Sequence, residues 1–370
     1  MNHRERFYAV CRHEKADRAV FDLAGSPQTN VDSERVRKEM AAALGIPPPF
    51  DETYRLDERI LRALDIDTRR IGGMPTPPTS HVRQEGNVYY DEFGVGRKLA
   101  GGHFEICDCP LAGKSIEEVE AYELPDPAKI DGALIDKWAA QAEFLHNETD
   151  YAVVAEHPVL GVFEIGCWMF GFDDYLCRLL LEPETVKLFS DRILEYQKAV
   201  IKKYYGALGA YIDVTTSGDD FGTQRAPFMA KETFDELIAP YLKERITYTK
   251  KFTAAFFKHH TCGSVFGLIP SLIDCGVEIL NPIQPNAWQM EPDRLKAAYG
   301  DKIAFWGGID TQNLLNYADK SEVRREVQRV LGILDQSGGY ILAPAHTIQE
   351  DVKTENLLEI YRAAKEYYGG

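Results

Sequence analysis

The sequence predicts an α/β chain folded as a closed (β/α)8 TIM barrel, and three observations carry that expectation. Short apolar or β-branched runs alternate with long helical patterns, the order that produces a parallel sheet wrapped in helices. Eight such runs occur, over 19–23, 68–72, 151–156, 210–216, 254–261, 277–281, 303–307 and 340–344. The polar clusters then fall where the runs end: Glu156-His157, Ser217-Gly218-Asp219-Asp220, His260-Thr261-Cys262, Asn281-Pro282-Ile283-Gln284, Gly308-Ile309-Asp310 and Ala345-His346. A barrel keeps its chemistry at those strand ends. A doubly wound open sheet is the alternative, but Ala24-Gly25-Ser26-Pro27 after the first run lacks the spacing of a glycine-rich phosphate loop.

Taken in order, the first two strands are followed by the one region that breaks the alternation. Within 73–150, Pro75-Thr76-Pro77-Pro78 opens a loop, 87–90 and 97–99 read as a hairpin about Gly94, and 103–106 adds a strand. This is expected to be a β-rich insertion between the second and third barrel strands. Later helices are expected over 183–205, with Val186, Phe189, Ile193, Tyr196 and Val200 on one stripe, and over 231–252. A third covers 321–336, opened by Ser321 as N-cap with Glu322 in the first turn, and 355–368 closes the chain. There is no internal repeat, and 1–370 reads as a single domain.

A chain of 370 residues can bury a large core. Its net charge of −16, with no Lys/Arg block, argues against nucleic acid and anionic membranes as partners. The seven cysteines are odd in number and irregular in spacing, Met1-Asn2-His3-Arg4-Glu5-Arg6 is charged rather than leader-like, and no apolar run approaches a membrane span. The expectation is a reduced, cytoplasmic protein.

Chemistry concentrates in Lys258-His259-His260-Thr261-Cys262-Gly263. On a strand, residues two apart share a face, so His260 and Cys262 point one way and His259 the other. An imidazole beside a thiol is half of a zinc site, and His346 after the last strand offers a third ligand. The plain alternative is a core His and Cys with a capping His346. The fourth position falls to Glu164, Asp220 or an open place for substrate; Glu164 also reads as an ordinary acid in the first turn of a helix.

His260-Thr261-Cys262-Gly263, Leu280-Asn281-Pro282-Ile283-Gln284, Trp306-Gly307-Gly308-Ile309-Asp310-Thr311-Gln312 and Gly338 through His346 resemble the uroporphyrinogen decarboxylase superfamily, as does Asp219-Asp220-Phe221-Gly222-Thr223-Gln224. The likeness covers most of 153–368. Decarboxylases of that superfamily carry an arginine-rich loop after the first strand, whereas this loop reads Asp22-Leu23-Ala24-Gly25-Ser26-Pro27-Gln28. The His-x-Cys strand is instead similar to the zinc-dependent, corrinoid-linked methyltransferases. Where the coenzyme M branch has a second Cys after the last strand, this chain has His346. One thiolate with two imidazoles leaves net positive charge on Zn²⁺, a better Lewis acid toward oxygen.

The resemblance therefore implies an O-demethylase methyltransferase component. It would cleave a methyl ether, expected to be a methoxylated aromatic, and pass the methyl group to Co(I) of a corrinoid on a separate protein. Methylation of a thiol and a metal-free, porphyrinogen-type decarboxylation are the alternatives. Asp220 is a candidate general acid or an orienting partner for a ligand His. Asp219 reads equally as an Asx-turn or N-cap. Gln224, Gln284 and Asp310 are candidates to hold polar substrate groups, although Asp310 also makes a good N-cap. Trp168 and Trp306 are candidates for an aromatic wall, against a reading of each as core. A homodimer is the default for such a barrel.

Overall fold

The computed structural model describes residues 1–51, 53, 55–100 and 103–369. Its twelve strands are β1 (Val20–Phe21), β2 (Thr68–Ile71), β3 (Arg83–Glu85), β4 (Val88–Tyr90), β5 (Gly96–Ala100), β6 (His103–Asp108), β7 (Ala152–Ala155), β8 (Val214–Gly218), β9 (Phe256–His260), β10 (Ile279–Ile283), β11 (Ala304–Ile309) and β12 (Tyr340–Pro344). Eight of them form one parallel sheet in the order β1-β12-β11-β10-β9-β8-β7-β2. This is a (β/α)8 barrel, and each of its strands overlaps one of the eight apolar runs.

Between β1 and β2, at the two ends of that order, the main-chain closure runs through Asp67. Asp67 donates its backbone N–H to the Phe21 carbonyl at 2.9 Å, and its carboxylate accepts the Phe21 N–H at 2.7 Å. The same fully buried carboxylate takes Arg6 at 2.6 Å, Arg18 at 2.7 Å and His3 at 2.7 Å. Burial alone would raise its pKa, but His3, Arg18 and Arg6 outweigh that and hold it below the usual carboxylate range.

Alternation along the strands sorts the core into two layers. Val20, Ala152, Val154, Val214, Ile279, Ala304, Trp306, Ile341 and Ala343 point into the barrel, where they meet Phe7, Val10 and Cys11 of the helix His3–Cys11. That helix plugs the end of the barrel at which the strands begin. The opposite residues, such as Phe21, Val153, Phe257 and Leu342, pack outward against the helices.

Segment 73–150 divides in two. Strands β3 to β6 form a separate antiparallel sheet in sequence order, with Val88 opposite Lys98. The helix Gly132–Glu148 instead lies in the barrel's own helical layer, with Ala142 and Leu145 in the outer core. The added element is therefore shorter than 73–150.

Helix boundaries differ from expectation in two instructive places. The stretch 231–252 is two helices, Lys231–Leu237 and Ala239–Thr249, broken just before Pro240, which has no N–H for the preceding turn. The helix expected from 321 begins at Lys320 and is capped by Asp319, not Ser321; Asp319 and Glu322 form a reciprocal capping box. The helices Pro183–Leu208 and Thr354–Tyr367 fall where the apolar stripes place them. No helix among the described residues is long and apolar enough to cross a membrane.

Candidate metal centre and barrel mouth

Strand β9 delivers Lys258 and His260 to the interior and His259 to the helices. His259 stacks on Phe221 at 5.5 Å, and its Nδ1 lies 3.1 Å from the Ser217 hydroxyl, which in turn accepts from Arg245 at 2.6 Å. It takes no part in the mouth of the barrel.

His260 is held in a defined tautomer. The Asn281 amide donates to the Trp306 carbonyl at 3.0 Å, so its Oδ1 must be the atom that faces His260 Nδ1 at 2.7 Å. An oxygen acceptor there requires the proton on Nδ1, which leaves the Nε2 lone pair free. Nε2 looks at Cys262 Sγ, 3.3 Å away. His346 enters from the loop after β12, its ring 5.9 Å from that of His260. One ligand atom from each of His260, Cys262 and His346 lies within 4.8 Å of the other two.

Electrostatics suits a cation. Burial drives the His260 pKa down to about 4 and lowers that of His346, so both rings are neutral and able to ligate. Burial, reinforced by Asp220, drives the Cys262 thiol up. A bound divalent ion would reverse that last effect by stabilising the thiolate. The donor set therefore fits zinc.

Asp220 holds the backbone that carries the thiol. Its Oδ1 accepts the Cys262 N–H at 2.7 Å and lies 3.6 Å from His260 Nε2. Gly263 follows with φ +83°, and a Cβ there would lie 2.4 Å from the Gly222 carbonyl. Only glycine lets the loops after β8 and β9 meet so closely. Asp219 serves the neighbouring helix instead. It accepts N–H bonds from Phe163 at 3.2 Å and Glu164 at 2.7 Å, capping the helix Val162–Phe170 across the mouth. A Cβ on Gly161 would collide with that carboxylate, at 1.9 Å.

Burial is also the main reason Asp219 is raised to about 7, opposed by Arg245 and the two N–H bonds, while Glu164 goes well up from burial and from Asp219 and Asp220. Burial thus pushes both members of this close pair toward their protonated forms.

A cavity of about 420 Å³ opens over Cys262 and His346, lined also by Gln224, Gln284 and Asp310. Gln284 also accepts the Gly263 N–H at 2.9 Å. Both Asp310 oxygens are engaged by N–H groups of Gln312, Asn313 and Leu314, so this residue shapes the rim as a cap.

The two tryptophans do not join this cavity. Trp306 is fully buried inside the barrel, edge-on to Phe7 of the plug, and donates its indole N–H to Asp22 at 2.9 Å. It is core, because it lies too deep on an inward-facing strand position to reach a ligand at the rim. Trp168 lines a separate cavity of about 310 Å³ between the barrel and the small sheet, under Arg97 at 4.8 Å. Neither forms an aromatic wall over the His/Cys cluster.

Sequence reasoning assigned no role to Asn281. It is a polar residue within a buried strand, and that was the available signal: a parallel strand covered on both faces tolerates such a side chain only when a partner or a ligand requires it.

The profile of the Uroporphyrinogen decarboxylase (URO-D) family matches residues 106–367. The chain belongs to the URO-D family. Uroporphyrinogen decarboxylase of Pseudomonas fluorescens (strain Pf0-1) is 22% identical over 280 residues, spanning 72% of this chain and 73% of that protein. Uroporphyrinogen decarboxylase of Ectopseudomonas mendocina (strain ymp) is 24% identical over 289 residues, with the same shares. Among solved structures, a methyltransferase from Methanosarcina mazei superposes with a TM-score of 0.68 over 100% of both chains, at 14% identity. That likeness establishes the barrel of this URO-D family member over its whole length.

Proposed function

We propose that this URO-D family protein is the methyltransferase component of a corrinoid-dependent O-demethylase. It would take the methyl group of a methoxylated aromatic and deliver it to Co(I) of a corrinoid on a separate protein. The observation that carries this reading is the donor set: His260 Nε2, freed by Asn281, converges with Cys262 and His346 beneath an open cavity. His260, Cys262 and His346 would hold zinc, which would supply Lewis acidity toward the ether oxygen.

The protein's own groups supply the rest. Gln224 and Gln284 bind polar atoms of the ring substituents, and Asp220 keeps Cys262 in register. Glu164, whose carboxyl burial holds toward the protonated form, would give its proton to the leaving oxygen, yielding the free phenol and a carboxylate, and the methyl group would pass to the partner's corrinoid. Glu164→Gln keeps the shape but has no proton to give, and should lower kcat by roughly 10²–10⁴-fold. Because the Glu164 carboxyl is raised, the wild-type rate should fall as pH rises through its pKa, and the variant should lose that alkaline limb. A pH–rate profile of both proteins tests this, and an unchanged limb would remove Glu164 from the chemistry.

Asn281→Leu removes the acceptor that fixes the His260 proton on Nδ1. Zinc affinity should drop by about 10–100-fold. Competition with a fluorescent chelator measures it, and an unchanged affinity would mean that the tautomer is set elsewhere.

A second reading, decarboxylation, has the names of the curated relatives in its favour. Against it stands the loop 24–28, which presents no arginine to a substrate with many carboxylates.

A further inference from the structure

The cavity of about 310 Å³ between the barrel and the small sheet shares no lining residue with the one over Cys262 and His346. Several stretches of chain meet to build it: the loop after β2, the turn between β4 and β5, the loop after β7, and the helices Val162–Phe170 and Pro183–Leu208. Its walls are mostly apolar, from Phe93, Val159, Leu160, Ile165, Trp168 and Tyr196, with the Phe93 and Tyr196 rings edge-on at 5.4 Å. Ligand sites span roughly 300–1,000 Å³ and combine such a lining with a few polar groups. This cavity fits the small end of that range.

Three charged side chains line it, Asp91, Glu92 and Arg97. Two of them satisfy each other. Asp91 accepts from Arg97 Nη1 and from the N–H groups of Phe93 at 3.0 Å and Val95 at 2.9 Å. The Arg97 guanidinium also lies over the Trp168 ring at 4.8 Å. Glu92 is left over. Among the described residues its carboxyl has no ion pair and no hydrogen bond from another residue, and the Tyr196 hydroxyl is equally without a partner. Burial raises the Glu92 pKa, and its own N–H and Arg97 do not offset that. Two acids face one base, so the cavity is one cation short.

We infer that this cavity is a second small-molecule site and that its ligand is an organic cation, a compact apolar body carrying one ammonium group that pairs with Glu92. The apolar body replaces water against Val159 and Ile165, and the ammonium N–H groups reach the Glu92 carboxylate and the Tyr196 oxygen. Aromatic walls add to the attraction through the negative faces of their rings. A neutral ligand of the same shape gains the apolar contact alone. The inference stands apart from the methyl-transfer reading, because none of its residues belongs to the His260, Cys262 and His346 cluster or to the cavity above it.

Benzylamine, phenethylamine and cyclohexylamine, each paired with the alcohol of the same shape, are titrated by calorimetry into the purified protein with and without zinc. At least one amine should bind about 10–100-fold more tightly than its alcohol. Glu92→Gln, which keeps the shape and loses the charge, should abolish that preference while the alcohol binds as before. Ile165→Trp, which fills the cavity, should weaken amine and alcohol alike. Zinc should leave the preference unchanged. Amines that bind no better than alcohols, or a preference that survives Glu92→Gln, would overturn the inference. So would a preference that appears only with zinc, which would move the amine to the His260, Cys262 and His346 cluster. The comparison of amine with alcohol in wild-type protein holds even if a variant fails to fold.

Discussion

Cys262→Ala is expected to abolish methyl transfer and to strip zinc from the protein. Cys262 is the anionic member of the donor set, and the two neutral imidazoles it leaves cannot compensate the charge of the ion. The loss should exceed the roughly 10–100-fold that accompanies removal of an outer partner such as Asn281. Burial and Asp220 hold the thiol in its protonated form. Zinc must therefore displace a proton, so affinity should weaken as pH falls. The measurement is elemental analysis of purified wild type and variant, paired with the absorbance change as Co(I) cobalamin is methylated by methoxylated aromatics, with and without chelator. Zinc-dependent methylation lost in Cys262→Ala is the expected result. Stoichiometric zinc without methylation of cobalamin by any donor would move the reading to thiol methylation. Wild-type protein without zinc would end the mechanism.

Asp67→Ala should produce the largest loss of stability of any single change at the base of the barrel. The substitution removes the side-chain bond from Phe21 and leaves Arg6 and Arg18 buried without their shared carboxylate. Breaking a buried ionic network in this way costs about 3–5 kcal/mol. A domain has about 5–15 kcal/mol in total. The pH dependence has a definite sign. The folded Asp67 pKa lies below its unfolded value of about 3.9, so its contribution is complete above that value and fades as pH falls through the folded pKa. Denaturant titrations of both proteins at neutral and acid pH measure it. A variant as stable as wild type at neutral pH would show that the ladder closes without this residue.

The strands were legible because each barrel strand must be apolar on its outer face and largely so on its inner one, which produces runs that survive without any alignment. Depth was not legible. Trp306 and His260 both sit on inward-facing strands, and nothing in the local sequence says that one ends against the plug and the other at the rim. The cap at Asp319 was missed because Ser321, two residues on, satisfies the same chemical rule. The break before Pro240 was available from the missing N–H, and the apolar periodicity running through it concealed it. In Arg69-Arg70, one of the pair must face out on a strand, where Arg69 meets Glu58 at 2.7 Å, and the other must face in.

The helix plugging the barrel floor has a kinetic consequence. With Phe7, Val10 and Cys11 filling the end where the strands begin, the opposite mouth would serve both the small reactant and the corrinoid partner of the proposed function. A partner seated there covers the path of the small reactant. Under the proposed function, traffic would follow a compulsory order: the small molecule enters first, the large partner docks over it, and the product departs only after the partner does. Excess partner should slow turnover by occupying empty protein, a substrate inhibition that more of the small reactant relieves.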